Sequence, residues 1–112
     1  MKRAVLYCRV DGPISEITQD LIDSQKAKLL TYAKRKDIEI SGIYEDAGYP
    51  GITLERPGLQ RLMSDAKSGE IGAVLVVDYS RLFRCQIPQR LKELQLHIQT
   101  INDQELDIYQ GP

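Results

Sequence analysis

Apolar and polar positions along this chain fall into blocks whose period switches. Residues 4–8, Ala-Val-Leu-Tyr-Cys, form an uncharged run that ends in Arg9-Val10-Asp11 and is closed by Gly12-Pro13. Its length and its β-branched and aromatic content predict a buried strand. A run apolar on both faces suits the middle of a parallel sheet covered by helices. Asp11 to Gln19 reads as a loop. A helix is predicted from about Thr18 to Lys36, with Leu21, Ile22, Leu29, Tyr32 and Ala33 as its apolar stripe. Gln25 falls inside that stripe, where an amide needs partners. It is either bonded to a neighbouring loop or aimed at a site across the top of the sheet.

Ile38 to Tyr44 reads as a second strand with Glu45-Asp46 at its carboxyl end, followed by a glycine- and proline-bearing loop from Ala47 to Glu55. That loop lacks the glycine spacing of a phosphate or dinucleotide fingerprint. A second helix opens at Arg56-Pro57, buries Leu59, Leu62, Met63 and Ala66, and is capped by Gly69. Ala73 to Val77 is a third strand, ending in Asp78-Tyr79-Ser80-Arg81-Leu82-Phe83-Arg84. The spacing of Leu91, Leu94, Ile98 and Ile101 predicts a third helix from Pro88 to Thr100, with Leu96 off its core face and His97 solvated. A weak fourth strand follows at Leu106 to Tyr109. The alternation predicts a three-layer α/β fold, with a mostly parallel four- or five-stranded sheet and helices on both faces.

Composition narrows the function more than the fold. The 112 residues amount to one domain, and their 42% hydrophobic content supplies one core. A net charge of −1 gives no global pull toward nucleic acid or anionic membrane, so any DNA contact is expected from a local arginine cluster or from a domain outside these residues. Cys8, Cys85 and His97 have no zinc-site spacing, and no metal or other cofactor is expected. Two unpatterned thiols fit a reduced cytoplasmic protein. The basic N-terminus precedes an apolar run too short for a signal peptide or a membrane span.

Strand ends are where ligands sit in parallel sheets. Here they bring together Arg9 and Asp11, then Asp46, then Asp78, Arg81 and Arg84. Arginine forks match phosphate oxygens in pairs. Arg9, Arg81 and Arg84, with Arg56 across the loop, would form a phosphodiester pocket. The bland alternative for each arginine is a surface ion pair.

These stretches resemble the N-terminal catalytic domain of the serine recombinases, the resolvase/invertase family, and above all its large members. The resemblance rests on Tyr7-Cys8-Arg9-Val10, on Gln25 with the 29–33 segment, and on Tyr44-Glu45-Asp46-Ala47-Gly48-Tyr49. It continues through Gly51, Leu54-Glu55-Arg56-Pro57-Gly58-Leu59-Gln60-Arg61-Leu62 and Val74 to Arg84, and spans roughly residues 3 to 110. It implies a resolvase-type catalytic domain for DNA strand cleavage and exchange. In that family a serine after the Arg-Val of the first strand attacks a DNA phosphate and forms a 5′-phosphoserine link. The resemblance assigns Arg9, Arg81 and Arg84 to the scissile phosphate, Gln25 to the neighbourhood of the nucleophile, and Arg56 to a further active-site arginine.

The departure is central. Asp11 stands at the nucleophile position, and Ser15 lies beyond Gly12-Pro13. Pro50 also replaces a small hydroxyl residue in the loop. A carboxylate has no hydroxyl to attack with, repels a phosphodiester and pairs with the same arginines. The domain as written is therefore expected not to cleave DNA. The family's dimerising helix and DNA-binding domain are expected to be absent from residues 1–112, as in either an excised fragment of a larger recombinase or a degenerate stand-alone relative. DNA binding by this domain alone is expected to be weak, with a homodimer or tetramer in a full-length context and no membrane association. The alternative is a pseudoenzyme that acts as an interaction module on an active recombinase, with Leu96 as a contact. A phosphoacceptor or Mg²⁺ site on Asp11, Asp46 and Asp78 ranks last, because one acid follows the first strand where receivers carry a tandem pair.

Overall fold

The computed structural model describes residues 2–50, 55–83 and 89–107. Arg84, Cys85, Gly51, Leu54, Pro88 and the end of the expected fourth strand lie outside them.

The first uncharged run forms β1 (Lys2–Val10). Next come α1 (Glu16–Arg35), β2 (Ile38–Ala47), α2 (Pro57–Lys67) and β3 (Ala73–Val76). A single 3-10 turn follows at Tyr79–Arg81, then α3 (Gln89–Lys92), β4 (His97–Thr100) and β5 (Glu105–Asp107). The described strands form one sheet in the order β2-β1-β3-β4-β5. β1 to β4 pair in parallel and β5 closes the edge antiparallel to β4. Alternation along β1 divides the core into two layers. Ala4, Leu6, Cys8 and Val10 meet Ile22, Leu29 and Tyr32 of α1. Val5 and Tyr7 meet Leu59, Leu62 and Met63 of α2 and Leu91 of α3. The three-layer, mostly parallel architecture is as the sequence pattern predicts.

Local chemistry fixes the helix ends. Ser15 caps α1 by accepting from the Thr18 backbone, while the Thr18 hydroxyl accepts from the Ser15 backbone, a reciprocal capping box. Arg56 precedes α2 without a side-chain cap of its own. The cap comes instead from β2. Asp46 accepts from the Gly58 N–H at 2.7 Å and the Leu59 N–H at 2.9 Å. Those two amides belong to the first turn of α2, where helix N–H groups lack partners and the dipole favours an anion.

Three expectations are corrected. The predicted third helix from Pro88 to Thr100 is helical only at Gln89–Lys92, and His97–Thr100 is β4. Gln95 adopts a left-handed φ of 55°, which stops the helix. Beyond it Leu96 and Ile98 are both fully buried at a spacing of two, as a strand requires. Leu96 is thus core, not an exposed contact, and His97 is a half-exposed strand residue bonded to Glu105 at 2.8 Å. The fourth strand of the prediction is the fifth of the fold, β5. Finally, Leu21 lies off the buried stripe of α1, which runs instead through Thr18, Ile22, Gln25, Leu29, Tyr32 and Ala33.

Candidate active site at the strand ends

β1 pairs with β3 only at Val5 and Leu6, while its pairing with β2 continues to Val10. The Val10 carbonyl accepts from the Gly48 N–H on the β2 side. Backbone groups alternate sides along a strand, so those of Arg9 point to the side that β3 has left. Gln25 fills that gap. Its Oε1 accepts from the Arg9 N–H at 3.2 Å, and its Nε2 donates to the Arg9 carbonyl at 2.9 Å. This accounts for a buried amide on an apolar helix face. Gln25 acts as one rung of ladder, holding the backbone from which the Arg9 side chain projects.

The Arg9 guanidinium is fully buried. Nε donates to the Arg81 carbonyl at 2.9 Å, Nη2 to the Ser80 carbonyl at 2.7 Å and Nη1 to the Tyr49 carbonyl at 2.9 Å. Nη1 also pairs with the Asp11 carboxylate. Arg81 answers by donating from Nη1 to the Arg9 carbonyl at 3.2 Å. Each arginine side chain thus holds the other's main chain. Arg81 Nε is buried with no hydrogen-bond partner among the described residues, and Asp78 Oδ2 stands 3.8 Å from it, beyond hydrogen-bond range. Asp78 chiefly caps the 3-10 turn by accepting from the Ser80 N–H at 3.0 Å.

Arg56 is also fully buried. Its Nη1 donates to the Tyr7 hydroxyl at 2.9 Å and to the Arg81 carbonyl at 3.0 Å, and its Nη2 donates to the Leu82 carbonyl at 2.6 Å. Burial pulls its pKa below the ordinary guanidinium value. The Tyr7 hydroxyl donates in turn to Asp46 Oδ2 at 2.7 Å. A chain of hydrogen bonds therefore runs from the first turn of α2 through Asp46, Tyr7 and Arg56 to the Ser80–Leu82 turn. Behind it, Gly48 has a φ of +85°, and a Cβ there would meet the Gly12 carbonyl at 2.9 Å. This contact sets the loop after β2 against the loop after β1.

The structure brings Arg9, Asp11, Gln25, Arg56 and Arg81 together at the carboxyl ends of the sheet, while Arg84 lies outside the described residues. It separates the arginines by availability. Arg9 donates to three backbone carbonyls and Arg56 to two, and Arg81 alone of the three has side-chain exposure, about 30%. The acids do not converge on one point. Asp46 is taken by two amides and a phenol, and Asp78 by its own turn. Among the described residues no group of three or more His, Cys, Asp or Glu side chains could hold a metal ion. Tyr7 and the capping role of Asp46 escape a search for charged strand ends. The carbonyls of Tyr49, Ser80, Arg81 and Leu82 leave no trace in side-chain chemistry at all.

Burial also shapes the titration of the core. It pushes the Cys8 thiol up to about 12, the Tyr44 phenol up to about 12, and the Tyr7 phenol higher still. A raised folded pKa means that the native state keeps protons the unfolded chain has released. The stabilisation is complete below the ordinary thiol and phenol values and is lost as pH rises through the folded ones. Urea midpoints are expected to be flat up to about pH 8.5. They should then fall between about pH 9 and 12, at up to about 1.4 kcal/mol per pH unit for each group. A midpoint unchanged at pH 11 would mean that these groups ionise freely in the folded state.

The α/β layers with arginines gathered at parallel strand ends define a catalytic-domain fold of the serine recombinase class, and the chain belongs to the resolvase N-terminal domain family, whose model matches residues 4–111. The chain is 39% identical over 79 residues to the Putative DNA recombinase of Bacillus subtilis (strain 168), covering 70% of this chain and 15% of that protein. It thus spans under a sixth of that relative's length. Among solved structures it is similar to the N-terminal catalytic domain of TP901-1 integrase, at 29% identity and a TM-score of 0.75, covering 93% of this chain and 81% of that one. A resolvase family site-specific recombinase from Streptococcus pneumoniae is 28% identical with a TM-score of 0.74, covering 94% and 76%. Among the described residues no helix is long and apolar enough to cross a membrane.

Proposed function

We propose that this domain is the DNA-phosphate-binding and strand-exchange unit of a site-specific serine recombinase, silenced in the present sequence at residue 11. The observation that carries the reading is the ion pair between Asp11 and the buried Arg9. Arg9, Arg56 and Arg81 are balanced by Asp11, Asp46 and Asp78, so the strand ends carry no net charge from these six. A serine at position 11 would leave one positive charge in excess, with Arg81 Nε still to be satisfied. That is the electrostatics a phosphodiester needs. The serine oxygen would form a bond to phosphorus while the P–O3′ bond breaks. A proton would pass to the departing 3′ oxygen, leaving the 5′ phosphate on the serine. Asp11 cannot supply that hydroxyl, and its charge keeps the phosphate away.

Arg81 is the phosphate-facing arginine in this reading, with Arg9, Gln25 and Arg56 holding the turn that presents it, and Arg84 is the second phosphate ligand that the family resemblance implies. The interaction-module alternative loses Leu96, which is core. Strong DNA affinity and stable assembly into dimers or tetramers belong to a full-length recombinase context. The test grafts this domain in place of the catalytic domain of a serine recombinase whose site is known and looks for a detergent-resistant protein–DNA adduct. The sequence as written should give none and Asp11→Ser should give one. An adduct from the Asp11 form would end the proposal.

A further inference from the structure

The longest helix carries a second pattern that the site does not use. Along one flank of α1, beside its buried stripe, Ile17, Leu21, Ser24, Lys28, Thr31 and Arg35 recur every three or four residues, and all are exposed. Ile14, just before the helix, extends the row. Its apolar end is unusually open, with Ile14 78%, Ile17 72% and Leu21 49% exposed. The charges along the same segment are segregated. Asp11, Glu16, Asp20 and Asp23 are the charged residues of 11–24, and Lys26, Lys28, Lys34, Arg35 and Lys36 those of 25–36. Complementing the helix dipole accounts for acids in the first turn and bases in the last, but not for Asp20, Asp23, Lys26 and Lys28 in the interior. Some of these have local roles. Lys26 pairs with Glu45 and Lys36 with Asp103, while Asp23 accepts from Gln19.

We propose that this flank of α1 docks against the same flank of a second copy, with the two helices antiparallel. Charge complementarity selects both the partner and the direction. Antiparallel pairing lays the acidic half of each helix along the basic half of the other, and parallel pairing would set like against like. An isologous contact repeats every favourable pair twice. With the two-fold axis between Ser24 and Lys28, Ile17 lies against the aliphatic stem of Arg35 and Leu21 against Thr31. Antiparallel helices bring equivalent flanks together, so Glu16 and Asp20 of one copy bracket Lys34 of the other. Arginine stems cover apolar surface well while keeping their charge in water. A single pair of helices is a small interface, so the association is weak and salt-sensitive.

The test is sedimentation equilibrium of the 112-residue protein at low and high salt, with two charge-reversed variants. Glu16→Lys with Asp20→Lys makes both halves of α1 basic, and Lys34→Glu with Arg35→Glu makes its C-terminal end acidic. All four side chains are exposed, and circular dichroism checks that the fold is kept. The unaltered protein should dimerise at low salt and dissociate as salt rises. Each variant alone should weaken dimerisation at least about tenfold, and an equimolar mixture should recover it, because every acidic half then meets a basic one. A protein that stays monomeric up to millimolar concentration would overturn the proposal. So would a dimer that neither reversal weakens, or a mixture that does not recover.

Discussion

Gly58→Ala is expected to destabilise the protein by about 3–5 kcal/mol, the largest effect of a methyl group added at any glycine among the described residues. A Cβ at residue 58 would stand 2.4 Å from the Glu45 carbonyl oxygen and 3.0 Å from each Asp46 carboxylate oxygen. The first obstacle is backbone near the carboxyl end of β2 and cannot swing away. The second is the cap of α2. To make room, the first turn of α2 must back away from the sheet, breaking the bonds from the Gly58 and Leu59 amides to Asp46. Bonds to a charged group in a buried place are each worth about 1.5–3 kcal/mol. Urea unfolding followed by circular dichroism measures the loss. A change below 1 kcal/mol would mean that α2 does not sit this close to β2.

Asp46→Ala is the second large effect, at about 3–5 kcal/mol. The carboxylate is 2% exposed and serves three donors on two elements: the Gly58 and Leu59 amides of α2 and the Tyr7 hydroxyl of β1. Its removal leaves two helix-end amides without an acceptor. It also takes negative charge from beside Arg56, which lies under the surface with Tyr7 between them. Asp46→Asn is not a mild version. Its two acceptor positions become one oxygen and one NH2, so a donor is turned toward a backbone N–H. Its expected cost is about 2–4 kcal/mol. Tyr7→Phe interrupts the same chain of bonds at one link and should cost about 1–2 kcal/mol. The double variant Tyr7→Phe with Asp46→Ala should fall short of the sum, since the two changes remove one shared bond. Strict additivity would show that the Tyr7–Asp46 bond contributes nothing.

These effects bear on how the site is built. Arg9 and Arg56 are long cations with no solvent contact, which burial alone would forbid. They persist because Arg9 donates to three backbone carbonyls and Arg56 to two and to the Tyr7 hydroxyl, and because Asp11 and Asp46 stand by as counter-charges. Both arginines converge on the carbonyl of Arg81. The turn carrying Arg81 is therefore fixed from two sides, and Gln25 fixes the main chain that anchors one of them. The family's motif residues gather in this structure as a connected frame.

What the sequence discloses is uneven for physical reasons. β1 and β3 are legible because the stretches buried on both faces, residues 4–8 and 74–76, carry no charge. The opening of α2 is legible because proline fits a helix's first turn. Residues 89–107 mislead, since Leu91, Leu94, Ile98 and Ile101 match a helical period by coincidence. Leu96 and Ile98 match a strand's period of two just as well, and a glutamine at the left-handed position 95 gives no warning that glycine would have given. In α1 the apolar content misdirects. Thr18 and Gln25 are buried because their polar groups are satisfied locally, while Leu21 sits exposed on the flank. The gathering of Arg9, Asp11 and Arg81 follows from strand ends alone. The burial of Arg9 and Arg56 does not, because it depends on carbonyls that no side-chain pattern encodes.

We propose that Asp11 occupies an anion site built by the arginines. Sulfate titration of the isotope-labelled protein and of Asp11→Ser, followed by NMR, tests it most directly. Sulfate should shift the Arg9 and Arg81 signals in both, with affinity about tenfold tighter in the serine variant, where one nearby negative charge is gone. Mg²⁺ should leave the signals of Asp11, Asp46 and Asp78 in place. Equal sulfate affinity in the two proteins, or Mg²⁺ binding at those aspartates, would contradict it.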